Sequence, residues 1–184
     1  MRINVIGTSG SGKSTFAKAL AQKLAVPYVE MDALYWKPNW GESSDAELFA
    51  KLEQALARPA WVLDGNYKRT QPIKWRNVET IIWVDYSFAR TLFQAVKRAV
   101  QRLRSGKEIW AGTGNRETFR KSFLSRDSII LWTLKTFYKN RQQYQKLMES
   151  PLKDGVTFVR LRSHRQAGEY IARCTLQHEE TKKA

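Results

Sequence analysis

The sequence predicts an α/β fold, a parallel β-sheet with helices on both faces, and three observations predict it. Apolar runs of strand length alternate with amphipathic stretches of helix length, a glycine-rich turn joins the first strand to the first helix, and the units repeat along the 184 residues. Right-handed crossovers then put the loops after the strands on one sheet edge, where ligands bind in open α/β sheets.

The elements follow in order. Residues 3–6 (Ile-Asn-Val-Ile) form a buried-type strand that runs into the glycine turn. A helix is expected over residues 14–24, ending before Pro27 because the residue ahead of a proline avoids helical geometry. Residues 26–30 form strand two. Over residues 45–57, Leu48, Leu52 and Leu56 recur at helical spacing, with Ser44 placed as N-cap and Pro59 beyond the end. Strands three and four are residues 61–64 and 80–85.

Residues 88–104 read as a helix with divided faces. Phe88, Leu92, Phe93, Val96, Ala99, Val100 and Leu103 fall on one arc, and Arg90, Lys97, Arg98, Arg102 and Arg104 lie opposite. The expectation is that the first face packs and the second is basic. Residues 105–115, with Gly106, Gly112 and Gly114, lack helical periodicity and read as a mobile loop. A second helical region covers 117–148 with a break near 125–128, strand five covers 156–160, and a last helix starts at His164. There are no internal repeats.

Composition narrows the function classes. The length fits one domain spanning 1–184, and 42% hydrophobic residues suffice for a core. A lone Cys174 forms no internal disulfide, no signal-peptide pattern opens the chain and no apolar run is long enough to span a bilayer, so a soluble cytoplasmic protein with no membrane partner is expected. The net charge of +15 is uneven. Residues 1–85 hold 11 basic and 9 acidic side chains, whereas residues 86–184 hold 21 and 8. A field concentrated in one half calls for a polyanionic partner such as nucleotide phosphates or nucleic acid, unless it is only a solvated basic face.

The most specific motif is Gly7-Thr8-Ser9-Gly10-Ser11-Gly12-Lys13-Ser14, an unbroken G-x-x-x-x-G-K-S between strand and helix. Its glycines let successive amides turn inward onto phosphate oxygens, and the helix N-terminus adds partial positive charge. Lys13 then reaches the β- and γ-phosphates, the Ser14 hydroxyl ligates Mg²⁺, and Thr15 completes the nucleotide-binding set. ATP with magnesium is the expected ligand.

The metal needs a second, acidic anchor at a neighbouring strand end. Asp64 closes Trp61-Val62-Leu63 and is favoured; Asp85 closes Ile81-Ile82-Trp83-Val84 and is its rival, and either can instead cap a turn. On the same edge Asp32, or Glu30 two residues earlier, can orient or deprotonate an acceptor hydroxyl or serve as a plain loop carboxylate.

These residues together resemble the nucleoside monophosphate kinases. Asp64-Gly65 is similar to the end of strand three in adenylate kinases, which continue with Phe-Pro-Arg where this chain has Asn66-Tyr67-Lys68. Asp32-Ala33-Leu34-Tyr35-Trp36, Asp64-Gly65-Asn66-Tyr67, Gly114-Asn115-Arg116-Glu117 and Ser125-Arg126-Asp127-Ser128 resemble the adenylate-kinase-related DNA topology modulation (FlaR-type) proteins, a likeness spanning almost the whole chain. The resemblance implies a P-loop NTPase fold of nucleoside monophosphate kinase type. It would have a five-stranded parallel sheet with helices on both faces, a substrate-side segment at about 31–60 and a basic lid at about 97–126.

In such kinases lid arginines neutralise charge moving among phosphate oxygens, and Arg116 and Arg126 are the candidates, with Arg98 and Arg102 behind them. Trp36 and Trp40 lie in a turn-rich stretch and either stack on an acceptor or pack a loop onto the core. Trp61, Trp83 and Trp132 fit core positions; Trp75 and Trp110 are left undecided. The function expected is transfer of the γ-phosphate of ATP to a small acceptor, a nucleotide or hydroxylated metabolite. The acceptor pocket lies near Asp32, Trp36, Asn66 and Tyr67. The alternative is a nucleotide-dependent, DNA-associated regulator that binds nucleic acid through its basic C-terminal half, by Arg90, Lys97, Arg98, Arg102 and the later basic residues.

Overall fold

The computed structural model describes residues 1–118, 128–150 and 154–183. Its five strands are β1 Arg2–Ile6, β2 Tyr28–Glu30, β3 Trp61–Asp64, β4 Thr80–Val84 and β5 Thr157–Leu161. They form one all-parallel sheet in the order β2-β3-β1-β4-β5. The helices are α1 Lys13–Lys23, α2 Met31–Tyr35, α3 Asp45–Leu56, α4 Gln71–Lys74, α5 Phe88–Ser105, α6 Ile129–Glu149 and α7 His164–Lys183. None of the described helices is long and apolar enough to cross a membrane.

Strand periodicity builds two cores. Alternate side chains leave opposite faces of a sheet. Ile3, Val5, Val62, Ile82 and Val84 therefore meet Phe16, Ala17 and Leu20 of α1 and Ala167 and Cys174 of α7, while Ile6, Trp61, Leu63, Ile81 and Trp83 meet Leu52 of α3 and Tyr144 of α6. Burying a side chain such as Leu20, with no exposed surface, stabilises the fold by about 1.5–3 kcal/mol. Strands apolar on both faces explain why these runs are continuous in the sequence.

Register decides which residues reach the ligand edge. Val5 pairs with Asp64 on one side and with Ile82 on the other, and Ile6 pairs with Trp83. The chain leaves the central β1 between the ends of β3 and β4, so Asp64 and Asp85 flank the glycine turn. Asn4, fully buried, ties this edge: its Nδ2 donates to the carbonyls of Leu63 (3.2 Å) and Gly65 (3.0 Å), and its Oδ1 accepts from the Trp75 indole at 2.9 Å. Only glycine fits at 65, where φ is 155° and an added Cβ would lie 2.5 Å from the Met31 Cβ.

Helix starts obey local chemistry. Ser44 caps α3 in a capping box with Glu47, as its position in the sequence predicts. Ser87 and Ser128 cap α5 and α6 more simply, their hydroxyls accepting from the Arg90 and Leu131 amides.

Two sequence expectations need correction. The α5 face turned to the protein carries the small residues Thr91, Ala95 and Ala99, and Phe93 on the expected packing arc is 66% exposed. The reason is steric: an added Cβ on Gly10 would sit 2.8 Å from the Thr91 carbonyl oxygen and 2.9 Å from the Ala95 Cβ, so only small side chains let α5 approach this turn. Trp132, expected in the core, is 56% exposed on α6, whose inward positions are Thr133 and Phe137. A third difference is α2, a five-residue helix that follows β2 directly. Its pattern is too short for helical periodicity to register.

Candidate functional site

Gly12 adopts the left-handed conformation (φ 86°) that opens α1, and no side chain caps the helix. The first N–H groups of α1 therefore stay available to an anion, in contrast to α3, α5 and α6. Within the turn the Ser11 amide donates to the Thr8 carbonyl at 3.0 Å, and the Ser11 Oγ is buried without a partner among the described residues. Gly7, Thr8, Gly10 and Ser11 are buried, Ser9, Gly12, Lys13 and Ser14 half-buried, and Thr15 exposed. Lys13 makes no ion pair among the described residues, so its charge is uncommitted.

A cavity of about 600 Å³ opens over this turn, within the usual range for ligand pockets. Gly10 to Ala19 form its floor, Lys97, Arg98 and Arg102 of α5 one wall, and His164, Gly168 and Ile171 of α7 the other, with Glu30 at one end. The helix wall is basic because the small-residue seam of α5 rotates these cations inward. Arg98 Nη2 lies 3.4 Å from the Ser9 Oγ. Burial, with repulsion from Arg102 added, lowers the Arg98 pKa, and attraction to Glu117, Asp32 and Asp64 offsets part of that. Arg98 thus lies against the glycine turn, within the electrostatic reach of both candidate carboxylates. Arg102 pairs with Glu117 at 3.3 Å.

The two strand-end aspartates differ sharply. Asp64, 3% exposed, accepts from the Tyr28 hydroxyl on Oδ2 at 3.0 Å, and its Oδ1 is buried with no partner among the described residues. Burial, then the charges of Asp64 and Glu30, push the Tyr28 pKa up, so this hydroxyl stays a donor. Asp85 is spent on structure: Arg160 holds Oδ2 at 2.6 Å and Arg141 lies 3.2 Å from Oδ1.

On the substrate side, Asp32 Oδ1 accepts from the Tyr67 hydroxyl at 2.9 Å, and Asn66 donates to the Tyr144 hydroxyl. Burial followed by the Asp32 charge raises the Tyr67 pKa. Glu30 lies 3.6 Å from Lys18 and accepts from the Trp110 indole N–H at 3.2 Å. Trp36 stacks on Trp110 (6.2 Å, 18°), and Trp40 meets both edge-on at 5.6 and 6.1 Å.

The structure thus brings together the glycine turn, Lys13, Ser14, Asp64, Asp32, Trp36 and Tyr67 on one sheet edge. Arg116 is exposed in an isolated bridge with Glu108, and no hydrogen bond or ion pair among the described residues joins it to the turn. Arg126 lies outside the described residues. Sequence reasoning missed Gln94 and His164, which line the cavity with Nε2 atoms 3.0 Å apart, and Tyr86, whose ring lies 4.6 Å from that of His164. Gln94 carried a signal, being a polar residue one turn before Arg98 on the inward helix. His164 carried none, because only the last crossover brings α7 to α1.

Residues 3–85 match the ATPase family associated with various cellular activities (AAA). Over 80 residues the chain is 32% identical to a putative adenylate kinase of Pyrococcus abyssi (strain GE5 / Orsay), a match covering 40% of this chain and 44% of that protein. The similarity spans less than half the length of that relative. Among solved structures, an unliganded sugar kinase of Janibacter sp. HTCC2649 superposes on 94% of this chain and 90% of its own, with a TM-score of 0.47 and 15% identity. The glycine turn and the five-stranded all-parallel sheet give the chain a P-loop NTPase fold, with residues 3–85 similar to AAA ATPases and a stretch of 80 residues similar to a putative adenylate kinase.

Proposed function

We propose that this chain is a magnesium-dependent phosphotransferase that moves the γ-phosphate of ATP to a small hydroxylated acceptor, a nucleotide or another metabolite. One observation carries the reading: Arg98 lines the cavity over the P-loop and contacts its Ser9, while Asp32 and Asp64 lie near enough to attract its charge, so a charge-neutralising group stands beside the donor site on the edge that carries both carboxylates.

The residues divide the work. The amides of Gly7 to Ser14, with Thr15, bind the phosphates, and Lys13 holds the β,γ end. The site fits a divalent cation, because Asp64 keeps a buried oxygen without a partner and Ser14 opens the helix beside the P-loop. Mg²⁺ bound there by Ser14 and Asp64 supplies neutralisation of phosphate charge. Asp32 takes the acceptor proton as the acceptor oxygen bonds to the γ-phosphorus, while the bond to the β,γ-bridging oxygen breaks and its electron pair leaves on ADP. Arg98 and Arg102 stabilise the charge that develops. Arg116 and Arg126 are assigned to closing the lid, which excludes water. Trp36, Asn66 and Tyr67 shape the acceptor side.

The nucleic-acid reading draws on the same α5 cations, yet Lys97, Arg98 and Arg102 line the cavity. Of the α5 cations Arg90 and Arg104 are then left for a duplex beside the later basic residues, and the kinase reading is favoured because three of the helix cations face the P-loop cavity. Incubation with Mg²⁺ and γ-labelled ATP across a panel of candidate acceptors tests it. Transfer of label to one of them is expected, and label released only to water throughout the panel would count against a kinase.

A further inference from the structure

Asn115, Trp40 and Trp110 take no part in the chemistry assigned so far, yet the backbone they hold is costly. Asn39 and Trp40 both have positive φ, 57° and 61°, a conformation that costs an L-residue about 1–2 kcal/mol. What holds them is Asn115, 1% exposed on the loop after α5. Its Oδ1 accepts from the Trp40 N–H at 2.7 Å, and its Nδ2 donates to the Lys37 carbonyl at 2.9 Å. The strand-like contact of Ile109 N–H with the Asn115 carbonyl (2.8 Å) then fixes the stretch that carries Trp110. The indole it carries lies flat against Trp36, with its N–H on Glu30.

We infer that Trp110 is a specificity-determining residue of the acceptor pocket, that Asn115 is its positioning residue, and that the acceptor they fit carries its hydroxyl on an uncharged ring. The inference rests on the phosphotransferase reading and names the substrate class of that site. A half-buried indole gives a ring a flat apolar wall, which aromatic surfaces supply to planar and C–H-bearing faces. Glu30 has the Trp110 indole and, at 3.6 Å, Lys18 as partners, and Asp32 has the Tyr67 hydroxyl; a carboxylate oxygen accepts more than one hydrogen bond, so both can receive ring hydroxyls. A phosphate-bearing acceptor would meet these two negative charges. The basic side chains on this side are already engaged, Lys18 with Glu30 at 3.6 Å, Lys37 with Glu47 at 2.7 Å and Arg69 with Asp45 at 3.0 Å, and Arg98 and Arg102 are assigned to the charge on the transferred phosphate.

Transfer from Mg·ATP to ribose, adenosine and AMP tests the proposal, with ATP affinity measured separately by calorimetry. Either uncharged acceptor should exceed AMP in kcat/KM by about tenfold or more, and the better of the two tells whether the sugar alone or a nucleoside is recognised. Trp110→Ala should raise the KM for that acceptor about tenfold while ATP affinity changes by less than about twofold. Asn115→Ala should act in the same direction and, by hydrogen exchange on the full chain, speed exchange of the Trp40 amide. Asn115→Asp, which keeps the acceptor for that amide but loses the donor to Lys37, serves if the alanine variant does not fold. Preference for AMP, no transfer to either uncharged ring by protein that binds ATP, or an unchanged acceptor KM in Trp110→Ala would overturn the proposal. Loss of ATP binding in the unaltered chain would instead overturn the nucleotide reading beneath it.

Discussion

The Tyr28 hydroxyl donates to Asp64 Oδ2 at 3.0 Å and fixes the carboxylate so that Oδ1 stays buried beside the P-loop strand without a partner among the described residues. A desolvated carboxylate oxygen with no donor is costly unless a ligand completes it. Asp64→Asn is therefore expected to lower Mg²⁺-dependent ATP turnover at least about tenfold, with apparent magnesium affinity reduced. Asp85→Asn should act on stability instead, costing about 3 kcal/mol by urea unfolding, because it removes the buried counter-charge of half-buried Arg160. The opposite ranking in a turnover assay would transfer the metal role to Asp85.

Arg98 contacts Ser9 of the P-loop, whereas Arg116 is exposed in its bridge with Glu108. Arg98→Ala should lower kcat by about 10³-fold, the low end of what one well-placed arginine contributes in phosphoryl transfer. Arg116→Ala should cost much less. Steady-state kinetics on both variants decides, and a larger loss at Arg116 would mean that the loop closes over the phosphates more fully than in this conformation.

Lys74, 1% exposed at the end of α4, has its ammonium pushed down to about 7 from 10.5 by burial, with the Trp75 ring 5.4 Å away. Between those values the unfolded chain binds a proton that the folded chain does not, so stability should rise with pH from about 7 toward 10.5. Below about 7 both states are protonated and the contribution is flat. Lys74→Met should abolish that slope in urea titrations and stabilise the protein near neutral pH, and a slope unchanged in the variant would assign it to other groups.

Ser44 and Glu47 close a reciprocal capping box at the start of α3, and Lys37, bonded to both Glu47 oxygens, holds that carboxyl down to about 2. Ser44→Ala should destabilise the fold by about 1 kcal/mol without changing ATP affinity. Thermal unfolding and calorimetry on one preparation measure both.

Much of this was legible because the signals were local. The strand ends at Asp64, the cap at Ser44 and the eight-residue P-loop are each specified within a few residues, and all three stand where the sequence places them. The orientation of α5 was not legible: an amphipathic arc counts apolar residues, but the close approach of Gly10 selects small ones, so Thr91, Ala95 and Ala99 face inward and Phe93 does not. That rotation is what carries Arg98 into the cleft. The fate of Asp85 hinged on Arg160 and Arg141, partners on β5 and α6 that only the tertiary fold supplies. Asn115 stood out in the sequence only as part of a family-like motif, since its partners Lys37 and Trp40 lie on another segment.

The central claim is that the P-loop binds the phosphates of ATP, and Mg·ATP calorimetry on the unaltered chain and Lys13→Ala tests it most directly. Charge-assisted hydrogen bonds contribute about 1.5–3 kcal/mol, so the variant should lose roughly ten- to hundredfold in affinity while its unfolding temperature stays unchanged, since the half-buried Lys13 makes no ion pair among the described residues. Undiminished ATP affinity in the folded variant would contradict the account.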